Sequence, residues 1–207
     1  MSTHSASPLV LTVPGLGNSG PDHWQTRWEE THPRCLRVNL GHWEKPHRNS
    51  WINQLNLALR SVEGPVLLAA HSLGCHAVAA WALMEPDAAS LVAGALLVAP
   101  PEVDFFPLDP RVSTFSPTPS GQLPFPTLLL ASSNDPYCGQ PAARVLARMW
   151  GAQFLDAGPL GHINAQSGLG DWEEGWRLLS RFGPPSSRGA PEGLGAGQED
   201  AGPGKSA

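Results

Sequence analysis

The sequence predicts an α/β fold: a three-layer α/β/α sandwich around a mostly parallel, six-stranded sheet. Short apolar runs recur along the chain without polar alternation, helical patterns separate them, and glycine-containing polar turns follow the runs. Strands that are apolar on both sides need cover on both faces, which helical crossovers between parallel strands provide. The chain has 207 residues, enough for one domain with a substantial core.

The first strand is predicted at Leu9–Val13 and ends at a glycine-rich loop, Pro14 to Trp24. A helix over His23–Thr31 follows, with Trp24 and Trp28 four apart on one side. Strand Leu36–Leu40 leads to a helix over Ser50–Val62, and strand Val66–Ala70 runs directly into an alanine-rich helix over Cys75–Met84. Strand Ala95–Ala99 opens a proline- and serine-rich stretch from Pro100 to Pro124, which holds no convincing helix and reads as a long loop over the sheet edge or the site. Strand Thr127–Ala131, helix Pro141–Trp150, strand Gln153–Asp156 and helix Trp172–Phe182 complete the domain, residues 1–182. From 183 to 207 the chain is rich in glycine and proline and nearly free of large apolar side chains, so this tail is expected to be disordered. No internal repeat is present.

Composition narrows the function. Hydrophobic residues make up 41% and charged residues 15%, with a net charge of −5, which disfavours a nucleic-acid partner held through phosphates. Cys35, Cys75 and Cys138 are odd in number and widely spaced. They read as reduced thiols of a cytoplasmic protein rather than a disulfide framework or zinc site. The N-terminus lacks the basic start and apolar core of a signal peptide, and no apolar run is long enough to span a membrane.

The most informative segment is Val66-Leu-Leu-Ala-Ala-His-Ser72-Leu-Gly-Cys75. An apolar run that stops at Ala-His-Ser-Leu-Gly and becomes helical at once has the form of a nucleophile elbow, a tight strand-to-helix turn that raises a serine hydroxyl above the sheet. Such a turn needs small residues two positions either side of the serine. Gly74 is one, and Ala70 carries a single methyl where a glycine is usual. In a parallel sheet, ligands bind beyond the carboxyl ends of the strands, so polar residues following strands are the candidates: the glycine loop, Ser72, Ser132-Ser-Asn-Asp135 and Gly158-Pro-Leu-Gly-His162. The order Ser, Asp, His is that of α/β-hydrolases.

The chemistry requires each of these groups. A serine hydroxyl needs a base within reach, and His162 is the candidate, since a free imidazole titrates near ~6.5. Asp135 would accept its second ring proton and hold its orientation. The backbone N–H of Leu73, with that of Leu16 or Gly17, would stabilise an oxyanion. Any of these residues taken singly is more often a cap or turn former, and Asp104, Asp109 and Asp156 compete with Asp135 as the acid. Asp156 is placed at a strand end facing the core. His71 is expected to point away from Ser72, and His4, His23, His32, His42, His47 and His76 to be solvated or capping. No histidine pair has metal-ligand spacing with a carboxylate, and no metal or cofactor is expected. Most of the eight tryptophans are expected to cover the sheet, with Trp24 the one candidate for a substrate pocket. Cys75 is expected to pack within its helix rather than react.

On these residues the chain resembles the small serine hydrolases of the YdeN type, a family whose mammalian relative is the retinoblastoma-binding serine hydrolase. The resemblance runs from about Leu9 to Phe182. Val13-Pro-Gly-Leu-Gly-Asn-Ser-Gly-Pro-Asp-His-Trp-Gln-Thr-Arg-Trp-Glu29, Ala70-His-Ser-Leu-Gly-Cys75, Ser133-Asn-Asp-Pro-Tyr137 and Gly161-His-Ile-Asn-Ala-Gln-Ser-Gly-Leu-Gly-Asp-Trp172 carry it. It implies a compact α/β-hydrolase fold without a lid domain, a triad of Ser72, Asp135 and His162, and poorly defined natural substrates. The leading expectation is a serine hydrolase acting on small esters, thioesters or amides through an acyl-enzyme, with a small-molecule acyl substrate. The alternatives are a protein-interaction module with a vestigial triad, for which no recognition motif is visible, and an acyltransferase on the same triad.

Overall fold

A computed structural model describes residues 8–105 and 109–183; the predicted tail therefore lies outside the described residues, apart from Gly183. Six strands, β1 (Val10–Val13), β2 (Cys35–Arg37), β3 (Val66–His71), β4 (Val92–Val98), β5 (Thr127–Ala131) and β6 (Gln153–Asp156), form one sheet in the order β2-β1-β3-β4-β5-β6. Every pairing is parallel. The helices are α1 (Trp24–Thr31), α2 (Arg48–Arg60), α3 (Leu73–Met84), α4 (Ala88–Leu91), α5 (Gln140–Trp150) and α6 (Glu173–Ser180).

Strand alternation divides the core in two. Leu68, Ala70, Ala95, Leu97, Leu129 and Ala131 face the layer of α2, α3 and α5, while Leu67, Ala69, Leu96, Val98, Leu128 and Leu130 face that of α1 and α6. Period-two alternation explains why these strands read as unbroken apolar runs: both sides of each are buried. The tryptophans fill both layers, with Trp24, Trp28, Trp51, Trp81 and Trp150 fully buried.

Several boundaries move. The second strand, Cys35–Arg37, is shorter and starts earlier than expected, with one further bond to β1 from the Val38 N–H to the Thr12 carbonyl. The helix after β3 begins at Leu73, directly after the serine, and two short helical turns, Ala88–Leu91 and Ala165–Ser167, gave no periodic signal. The stretch 100–124 is not wholly irregular. A 3₁₀ turn at Pro110–Phe115, capped by Asp109, anchors it through Phe115, which packs on Trp51. Asp156 does not face the core; it is exposed and accepts the Gly158 N–H. Among the described residues no helix is long and apolar enough to cross a membrane.

His76 on α3 is fully buried rather than solvated. Its Nε2 donates to the Pro101 carbonyl, and its Nδ1 has no partner. Burial is the main cause that lowers its pKa from 6.5 to about 4. The unfolded chain therefore takes up this proton first. The stabilisation is complete above about pH 6.5 and is lost as pH falls towards the folded value, amounting to about 3 kcal/mol. Urea unfolding of the wild type between pH 7 and 4 should show this loss. His76→Leu should flatten the slope by that amount, and an unchanged slope would assign it to other groups.

Candidate active site

The order of the strands places a topological switch between β1 and β3: from β1 the chain first turns outward to β2 and then returns across to β3. The crevice at such a point is where an open parallel sheet binds ligands, and both the glycine loop and Ser72 open onto it. There α3 comes against the end of β1. A methyl on Gly74 would lie 2.3 Å from the Val13 carbonyl oxygen and 2.6 Å from that of Pro14. Only glycine fits. Gly15 keeps a second space open, since a methyl there would sit 2.7 Å from Ser72 Cβ and 3.2 Å from the Leu73 nitrogen.

The tight turn leaves Ser72 at φ 54°, ψ −127°, a conformation that costs a non-glycine residue ~1–3 kcal/mol. Its Oγ lies 2.8 Å from His162 Nε2. On the other side of the imidazole, Nδ1 is 2.9 and 3.1 Å from the two carboxylate oxygens of Asp135. The aspartate side chain is 2% exposed and the histidine 10%. With Nδ1 donating to the carboxylate, Nε2 is left as the acceptor for the serine proton. Asp135 also accepts the Tyr137 N–H, and the Tyr137 ring lies edge-on to that of His162 at 4.6 Å.

None of the rival acids is hydrogen-bonded to His162, which takes Asp135 instead. Asp104 is exposed and binds Ser116 and Thr118, while Asp109 pairs with Arg111. Of the candidate oxyanion donors, Leu73 and Leu16 flank Ser72 in the cavity wall. Gly17 does not serve: its N–H donates to the Trp43 carbonyl at 3.0 Å, within a turn that needs its φ of +76°. Trp24 is likewise not a pocket residue. It is 1% exposed and absent from the lining, with its ring against Trp28 and Trp172. Cys75 is buried, donates to the Val98 carbonyl, and has its pKa raised by that burial.

A cavity of about 400 Å³ surrounds Ser72 and His162. Its lining mixes apolar surface with polar side chains, among them Asn18, Glu102, Arg111, Tyr137, Asn164 and Gln166. Arg111 and Asp109 come from the long stretch after β4, which therefore lies over the site. The glycine loop is held from behind by Arg37, which binds Asn18 Oδ1, the Ser19 carbonyl, Thr26 and Glu29. His23 and His71, also in the wall, are buried, with pKa values lowered chiefly by burial, that of His23 to about 4; His23 caps α1, as expected, by accepting the Gln25 N–H. Arg37 did not stand out in the sequence, because its partners are brought close only by the fold. Among the described residues no group of three His, Cys, Asp or Glu is placed to hold a metal ion.

Comparison with known proteins agrees with this architecture. A family model described as serine hydrolase matches residues 10–181. A YdeN-like hydrolase from Pectobacterium atrosepticum is 32% identical, with a TM-score of 0.76 over 86% of this chain and 91% of that one. The ydeN gene product of B. subtilis is 18% identical (TM-score 0.69; 84% and 98% covered), and an esterase from Thermogutta terrifontis 14% (TM-score 0.59; 84% and 89%). These last two share the fold. A search of curated proteins gave no match.

Three substitutions at two positions probe the turn. Ser72→Gly should unfold at higher urea than Ser72→Ala, by about 1 kcal/mol, because glycine relieves the positive φ. Gly74→Ala should cost about 3 kcal/mol or more, since the added methyl meets backbone on both sides and cannot be accommodated by a rotamer change. Wild-type stability of Gly74→Ala would show that the approach of α3 to β1 can relax.

Proposed function

Because the chain belongs to the serine hydrolase family, we propose that it cleaves small esters, thioesters or amides by way of an acyl-enzyme on Ser72. What carries this reading is a single imidazole, His162, hydrogen-bonded at one nitrogen to the Ser72 hydroxyl and at the other to a buried carboxylate. In the first half-reaction Ser72 Oγ attacks the carbonyl carbon as its proton passes to His162 Nε2. The tetrahedral oxyanion is received by the N–H groups of Leu73 and Leu16, the former in the first turn of α3. His162 then returns the proton to the departing alcohol, thiol or amine. Water, deprotonated by the same imidazole, releases the acid and restores Ser72.

Asp135 keeps the Nδ1 proton in place and stabilises the imidazolium that forms in both steps. The size of the cavity, about 400 Å³, supports a compact acyl compound over a long alkyl chain. Three buried, unpaired cysteines support a reducing, cytoplasmic setting.

The first test is labelling with a fluorescent fluorophosphonate, with intact mass to find the adduct. Wild type should label at Ser72 and Ser72→Ala should not, with ester hydrolysis lowered ~10⁴-fold or more. A folded wild type that does not label would leave protein capture as the better use of the domain. Asp135→Asn should be severe and Asp104→Asn mild; the reverse would move the acid to the long loop.

A further inference from the structure

A general base has to be held to within a fraction of an ångström of its partners, yet His162 sits on a loop. That loop is gripped at four consecutive residues. On one side, the N–H groups of Leu160 and Gly161 donate to Ser132 Oγ and Asn134 Oδ1, at 2.9 and 2.7 Å. On the other, His71 Nε2 lies 2.9 Å from the His162 carbonyl oxygen, and Trp24 Nε1 donates to the Ile163 carbonyl oxygen at 2.9 Å. A carbonyl only accepts, so His71 carries its proton on Nε2.

The segment so held is under strain. Ile163 is fully buried at φ +49°, a conformation that a β-branched residue adopts only where its surroundings over-determine it. Trp24 and His71 come from different elements, the first residue of α1 and the last of β3. Their rings are joined by His23, 5.3 Å from Trp24 and 4.6 Å from His71 between centroids, whose Nδ1 accepts the Gln25 N–H. Gln25 is tied in turn to the Ala69 carbonyl of β3.

We propose that His71 and Trp24 are positioning residues for the general base: by clamping the carbonyls of His162 and Ile163 they set the imidazole between Ser72 and Asp135. This rests on the role given to His162 above. The clamp is suited to its place because it donates hydrogen bonds without adding charge. Burial holds His71 well below the ordinary imidazole range, and its ring is 5.0 Å from that of His162. A cation at that distance would oppose the imidazolium on which each half-reaction depends.

The test uses the full chain with His71→Leu, His71→Gln and Trp24→Phe, two of which remove one donor while His71→Gln keeps an amide N–H. Two readouts are needed: p-nitrophenyl acetate hydrolysis, and the downfield proton resonance of the His162 Nδ1–H shared with Asp135. His71→Leu and Trp24→Phe should lower kcat by about 10- to 100-fold with little change in KM, and should shift or broaden the resonance. His71→Gln should recover most of both. Wild-type rate and resonance in the two donor-less variants would overturn the clamp, as would a loss that follows Tm alone and is not recovered in His71→Gln. Should His71→Leu fail to fold, Trp24→Phe decides by the same criteria. If the wild type neither hydrolyses the ester nor labels at Ser72, the hydrolase reading fails, whereas the resonance still reports on the clamp by itself.

Discussion

The near-contact of α3 with the end of β1 is the constraint on which the rest of the site depends. Two backbone segments approach until no side chain fits between them at Gly74. To make that approach the chain must turn at Ser72 into a sparsely populated conformation. The same turn raises the hydroxyl clear of the sheet and leaves the Leu73 N–H at the start of a helix. Because β1 and β3 are neighbours whose connections run in opposite directions, the turn opens onto the crevice between them. The glycine loop after β1 is drawn to the same place, and Gly15 is bare where a side chain would press on Ser72. Strain at one residue and space at another are two results of a single packing decision.

Around that turn the protein assembles buried polar groups and keeps most of them neutral. His23, His71 and His76 are buried and each has its pKa lowered. Burial disfavours charge on an imidazole, and a neutral ring can still give one hydrogen bond and take another. Indoles do related work as donors without charge. Those of Trp24, Trp28 and Trp150 reach the carbonyls of Ile163, Asp171 and Pro119. Each joins segments far apart in the chain while its ring fills the core, which explains the many tryptophans better than a ligand pocket does. The Asp135 side chain, 2% exposed, faces the His162 imidazole.

Much of this was legible in the residues. The six apolar runs, the serine-containing turn and the strand-end positions of Asp135 and His162 all have local signals: periodicity, small residues at fixed spacing, and polar residues directly after a strand. Short elements such as Ala88–Leu91 had too few residues to show a period. Asp156 and Trp24 were misplaced for a common reason. Position in a strand or after a loop says where a residue lies along the chain, whereas facing is settled by what packs against it. Gly17 sat in the expected loop, but its N–H was engaged by Trp43, a contact across the fold that spacing along the chain could not show.

The sequence by itself determined the layered α/β architecture and the chemical identity of the serine, aspartate and histidine, because patterning and turn chemistry act over a few neighbouring residues. Only the tertiary structure decided that these three meet within hydrogen-bond distance and that Arg37 braces the glycine loop. It alone turned Trp24 and His71 towards the backbone of the loop that carries His162. Those relations join residues up to 139 positions apart. Such distances are closed by the packing of whole layers, so no local pattern in the chain records them.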